Sequence, residues 1–194
     1  MKRTLFDILI FGAGAIAAVL ILIFLIMPSM NWSALRKPGR MERRLAGYAT
    51  SNWIHRNADT QPNPLPLTPE NLKAGQTDFE EHCAGCHGLN GDGENRFEAD
   101  FSPPVPKLTG GAQKWSDGEL YFIIANGFSM SGMPGFGKNH DSKEIWGMVL
   151  WVQHLATLNQ QERAALQSRA RMTIEQHEKM MKEAHPEPEP IHHD

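Results

Sequence analysis

An all-α chain with long loops, preceded by one transmembrane helix and followed by a helical tail, is what three features of the sequence predict. An apolar run opens the chain, three amphipathic stretches with capping residues occupy its middle, and no convincing apolar-polar alternation marks a strand. With 194 residues, 41% hydrophobic and 21% charged, the chain suits one modest globular domain plus appendages. Composition divides it into an anchor over 1–30, a basic amphipathic helix and proline-rich linker over 31–67, a globular domain of three main helices over 68–158, and a helical extension with a Pro/His-rich tail over 159–194.

The anchor rests on Leu5 to Met27, broken only by Asp7, Gly12 and Gly14. About 23 residues at about 1.5 Å each reach about 35 Å, enough to cross a hydrocarbon core of about 30 Å. A cleaved signal peptide is the alternative, with Ala15-Ile16-Ala17 as a small-residue site. Cutting there leaves Val19 to Met27 as an apolar end with nothing to bury it, so an uncleaved anchor is expected.

Beyond it, Lys37-Pro38-Gly39 breaks any continuing helix. Met41, Leu45 and Tyr48 then share one helical face among Arg40, Arg43 and Arg44, which suits a helix lying on anionic lipid, or one packed on a neighbouring subunit or on the globular domain. Pro62, Pro64, Pro66 and Pro69 mark a semi-rigid linker.

Thr68 caps the first helix of the domain, Pro69 suits its first turn, and Leu72, Gly75, Gln76 and Phe79 form one face. Ser116 with Glu119 opens a second helix that stops at Asn126-Gly127, and Asp141 with Glu144 opens a third carrying Ile145, Met148, Val149, Trp151, Val152 and Leu155. Gly88 to Gly111 reads as a loop long enough to require a functional explanation. Asn159 with Glu162 opens the extension, whose weak stripe of Leu166, Ala170, Ile174, His177 and Met181 needs something to dock on; a partner subunit is expected. His192-His193 is too short a cluster for a metal site.

The chemistry lies in Cys83-Ala84-Gly85-Cys86-His87, which uses both cysteines and has the attachment pattern for a c-type haem. Each thiol adds to one vinyl group, and the adjacent imidazole ligates the iron. A structural zinc site usually wants two more cysteines or a paired histidine motif, and no cysteine remains; a thioredoxin-like pair belongs after a strand, not a helix. One covalently bound haem c is therefore expected, and its loop-wrapped pocket accounts for the length of Gly88 to Gly111. His82 should face away from the iron, His154 should lie on the solvent side, and His140 is a weak ligand candidate more simply read as exposed ahead of a helix cap.

Residues 68–158 resemble a class I cytochrome c, the small all-α monohaem electron carriers. In that family a glycine and an aromatic precede the first cysteine by eight and four residues, where Gly75 and Phe79 stand. The resemblance implies that Gly75 lets the first and last helices cross closely, with Met148 and Trp151 as partners on the last helix. It implies that the Pro106 carbonyl accepts a hydrogen bond from His87, the proximal ligand. Ser131-Gly132-Met133-Pro134-Gly135 resembles the family's distal-ligand loop. Met133 is favoured there over Met130, because Pro134 stiffens the loop and Gly132 lets its backbone approach. Trp115 is either a donor to a haem propionate or core, and Phe101, Val105, Leu108, Phe128 and Phe136 are expected pocket walls.

Charge separates the chain into an acidic head and a basic stalk: Pro64 to Leu158 holds twelve Asp or Glu against six Lys or Arg, and Asn31 to Thr60 holds six basic residues against Glu42 and Asp59. Nucleic acid is thereby excluded as the head's partner. The positive-inside count would put the head in the cytoplasm, but haem attachment in bacteria belongs to the outer face of the inner membrane, and large domains translocate largely regardless of charge. The expected protein is a single-pass inner-membrane electron carrier facing the periplasm. It serves redox partner proteins or sits in a respiratory complex, with no small-molecule substrate and no catalytic residue of its own. A haem enzyme or gas sensor with a displaceable sixth ligand, and an assembly subunit with a structural haem, are the alternatives.

Overall fold

The structure, a computed structural model, describes residues 2–29, 33, 36–93 and 101–184, and divides the chain into two compact units, Met1–Arg36 and Lys37–Asp194. The first is a single helix, α1 (Lys2–Ile26), ending in a 3₁₀ turn at Met27–Ser29. Its large apolar side chains described at Phe6 and from Ile10 to Met27 are exposed. Among the described residues no helix is long and apolar enough to cross a membrane.

The second unit is all helical among the described residues: α2 (Arg40–Asn57), α3 (Pro69–His82), a single turn α4 (Ala84–His87), α5 (Asp117–Asn126), α6 (Ser142–His154) and α7 (Gln160–Ala184). Local chemistry sets their starts. The Asn71 N–H donates to Thr68 Oγ1 at 3.3 Å, and Pro69 occupies the first turn of α3. Reciprocal capping boxes start α5 at Ser116 and Glu119 and α6 at Asp141 and Glu144. Asn159 and Glu162 make the same two bonds ahead of α7, at 2.9 and 2.8 Å. Each satisfies N–H groups that a helix start leaves without partners.

The core sits where α3 crosses α6, with Phe79, Ile145, Met148, Val149 and Leu155 almost wholly buried. The backbone partner of Gly75 is Gly147, whose carbonyl lies where a side chain on Gly75 would have to go. This corrects the expectation of Met148 and Trp151. The close approach rests on the missing Cβ of Gly75, whereas Met148 and Trp151 fill the core with their side chains.

Two segments outside the 68–158 bounds are part of this unit, α2 packing on the globular domain as one of the two readings of its sequence had it. Near the end of α2, Ile54 is buried, and Trp53 packs on Phe122 of α5 with ring centroids 4.8 Å apart. In the proline-rich segment, Asn63 donates from its side chain to the Trp146 carbonyl and from its backbone to Asp117, both at 2.9 Å. It is held against α5 and α6 and does not serve as a free spacer. The first half of α7 also seats on its own domain, where a partner subunit was expected. Leu166 is buried, Arg163 donates to the Leu155 carbonyl at 2.9 Å, and Arg169 pairs with Glu80 of α3 at 2.6 Å. The side chains of Ala170, Ile174, His177 and Met181, and His192-His193, lie outside the described residues.

Candidate functional site

The cysteine-histidine pentad follows directly from the end of α3. The Cys83 N–H donates to the Phe79 carbonyl at 2.8 Å, so the buried aromatic anchor and the first thiol are consecutive turns of one helix. Cys86 and His87 donate their N–H groups to the Cys83 carbonyl at 3.1 and 2.9 Å, closing a tight turn that ends at Gly88 with φ of 77°. Positions separated by three and four residues lie on one side of such a turn, so Cys83, Cys86 and His87 share a face. Neither cysteine is in a disulfide.

His87 Nδ1 lies 3.1 Å from the Pro106 carbonyl. Only an N–H satisfies a carbonyl, so this contact puts the proton on Nδ1 and leaves the Nε2 lone pair for a metal. Burial pushes the His87 imidazole below its ordinary value, with the Pro106 carbonyl opposing it. A neutral ring is the form that ligates. Burial, with Cys86 and Asp78 adding, pushes the Cys83 thiol up to about 12, so its sulfur keeps its proton. The loop carrying Pro106 is itself pinned: Gly93 donates to the His87 carbonyl at 2.9 Å and Leu108 to the Gly91 carbonyl at 2.7 Å. Residues 94–100, the middle of the expected wrapping loop, lie outside the described residues.

The two candidate methionines differ sharply. Met130 is 89% exposed, at a positive φ of 59°, whereas Met133 is half-buried and packs against the core cluster. Met133 is held at both backbone groups, accepting from the Phe128 N–H at 3.2 Å and donating to Ser131 Oγ at 3.2 Å. Gly127, at φ of 63°, meets the Pro134 backbone so closely that no side chain fits, and Phe136 N–H donates to the Ile124 carbonyl at 3.1 Å. The loop is thus clamped onto the end of α5 on both sides of Met133. Phe101 lies against Gly132, and Leu108, Phe128 and Phe136 pack on the core.

Trp115 packs on the core with its ring 5.4 Å from that of His55 in α2. The ring of His82 lies 4.5 Å from that of His140. His140 is not the exposed residue expected: its side chain is 15% exposed and stands 3.4 Å from Glu144. His154 is half-buried and packs on Trp151, not fully on the solvent side. Gly147 and the His55–Glu119 hydrogen bond escaped the sequence reading. A glycine inside a helix costs about 1 kcal/mol relative to alanine, and that cost was the available signal for Gly147; nothing local to His55 pointed to Glu119.

The donor set fits a covalently held haem: two unbridged thiols and an imidazole on one face, with the ring proton committed to a carbonyl. Trp151 Nε1 is, among the described residues, the one buried side-chain nitrogen or oxygen with no hydrogen-bond partner. A buried donor without an acceptor costs about 1–3 kcal/mol, a cost that an acceptor on an added group would relieve. No group of three or more His, Cys, Asp or Glu suited to a bare metal ion occurs among the described residues.

Comparison with known proteins agrees with this chemistry. Residues 70–152 match the family model described as cytochrome C oxidase, cbb3-type, subunit III. The chain carries a c-type cytochrome domain. A solved structure of a reducing HAO-like protein complex from Kuenenia stuttgartiensis is 27% identical over 47% of this chain, with a TM-score of 0.40, and the match spans 46% of that neighbour's length. No curated protein matches the chain.

Proposed function

We propose that the chain is a membrane-anchored monohaem cytochrome c that passes single electrons between redox partners at the periplasmic face of the inner membrane. The carrying observation is the His87 Nδ1 contact with the Pro106 carbonyl, which presents Nε2 as a ligand. When bound, the haem supplies a one-electron iron couple. Cys83 and Cys86 hold it covalently, His87 is the proximal ligand, and Met133 is the distal one. The burial of Met133 against the exposure of Met130 supports that choice, as does the clamped loop. With protein ligands on both sides no position stays open for a substrate, and a neutral thioether favours the ferrous state relative to a second imidazole.

The anchored reading is supported by α1, whose 25 residues reach about 37 Å and whose large apolar side chains stand exposed. A bilayer is the solvent that removes that cost. The matched family's description names an oxidase subunit, which supports service as a haem subunit of a respiratory complex as well as free-standing delivery. An acidic head favours partners with basic docking faces and rates that fall with salt.

The test is spectroscopic. The purified full chain is expected to gain the mass of one haem, to show the weak near-infrared band of methionine sulfur on ferric iron, and to bind no carbon monoxide when reduced. Met133→Ala should remove the band and Met130→Ala should keep it. Binding of carbon monoxide by the unmodified protein would overturn the carrier reading in favour of a haem enzyme or gas sensor.

A further inference from the structure

We propose that the first three turns of α2 lie on the surface of an anionic bilayer, with Met41, Leu45 and Tyr48 entering the headgroup boundary and the flanking arginines on lipid phosphates. These three side chains are 70%, 63% and 72% exposed. They recur at intervals of four and three residues, which aligns them along one stripe. Ile54, through which the same helix packs on its own domain, points roughly 150° away from that stripe at about 100° per residue. The domain therefore holds one side of α2 at its far end and leaves the apolar stripe uncovered.

The surrounding charge identifies the occupant. Arg36, Lys37, Arg40, Arg43 and Arg44 crowd the start of α2, and Arg44 and Arg56 flank the stripe on either side. Glu42, the acid among them, is turned back to cap the helix through the Gly39 N–H at 3.2 Å. Three apolar side chains give a shallow ridge, which suits the depth of a headgroup layer, and a tyrosine suits its polar-apolar boundary. Phosphates of an anionic leaflet supply the opposite charge without a matched protein surface.

The inference rests on the anchored reading: ten residues lie between Ser29 and Arg40, so an anchored α1 keeps the start of α2 within about 40 Å of the bilayer however the two units sit.

Spin labels on Leu45→Cys and, opposite the stripe, Thr50→Cys test this in the full holoprotein, where thioether bonds occupy Cys83 and Cys86. In bilayers containing about 30% phosphatidylglycerol, the label at position 45 should become severalfold less accessible to an aqueous nickel complex and more accessible to dissolved oxygen. The label at 50 should stay aqueous. The effect should weaken in pure phosphatidylcholine, at high salt, and with Arg40→Gln, Arg44→Gln and Arg56→Gln combined. A label at 45 that stays aqueous on anionic bilayers overturns the proposal. So does one shielded equally in pure phosphatidylcholine and at high salt, which assigns the stripe to a second copy or a partner subunit. Carbonate extraction separates the two readings. A chain retained in vesicles with position 45 aqueous keeps the anchor and loses the surface helix; a chain released by carbonate loses the anchor, and protection of position 45 by anionic vesicles at neutral pH then still upholds the surface helix.

Discussion

The α3–α6 crossing and the seat of α2 are both helix contacts of one unit, built on opposite principles. At the crossing two backbones meet through Gly75 and Gly147, and Phe79 and Met148 beside them are wholly buried. At the seat of α2 a single aliphatic side chain, Ile54, is buried; Trp53 stays 42% exposed, and the polar contact joins His55 to Glu119. The crossing tolerates no added atom at Gly75 and carries the haem pentad on its end. The seat buries fewer side chains and carries no part of the pentad.

That contrast can be broken most strongly at Phe79. Phe79→Ala should cost about 3–5 kcal/mol, the usual range for deleting a buried ring, and should reduce the yield of haem-loaded protein, because the Cys83 N–H depends on the Phe79 turn. Denaturant midpoints and the ratio of haem absorbance to protein check it. Gly75→Val should follow at about 3 kcal/mol, since its Cβ falls on the Gly147 carbonyl and has to push α6 away, while α2 stays folded on α5. A variant as stable as the parent would show that the crossing is looser than the glycine pair indicates.

The seat of α2 should respond to pH more than to volume. Burial pushes the Glu119 carboxyl up, but the Ser116 backbone N–H and the His55 ring outweigh it, so the carboxyl sits below its ordinary value of 4.5. A depressed carboxyl contributes stability that is complete above the unfolded value and is lost as pH falls through the lower folded one. Glu119→Gln should therefore cost about 1 kcal/mol at neutral pH, no more because His55 is over half exposed and screened. It should also flatten the fall in stability below pH 4.5, as read by thermal melts across pH. The smallest effect belongs to Arg169→Ala, about 0.5 kcal/mol or less, because its pair with Glu80 is solvated. A much larger loss would mean that α7 is held by that pair more than by Leu166.

Much of the fold was legible because its signals are local. Thr68, Ser116, Asp141 and Asn159 each announce a helix start by chemistry reaching three residues ahead, and all four act as read. What escaped was contact between distant segments. Ile54 looked like part of a stalk, and only packing of α2 on α5 makes it core. His140 looked exposed because its neighbours in sequence are polar, while the groups that cover it include His82 on another helix. Gly147 was legible as an anomaly but not as the partner of Gly75.

The covalent possibilities of the centre were decided by chain order alone: two thiols and an imidazole within five residues must share one turn, whatever surrounds them. The helix starts were decided likewise, because a cap needs only its own first turn. Which carbonyl orients the imidazole, which methionine is sheltered, and which face of α2 stays uncovered were decided by the folded molecule. Those outcomes depend on segments brought together across tens of residues, and no local preference encodes a distance between them.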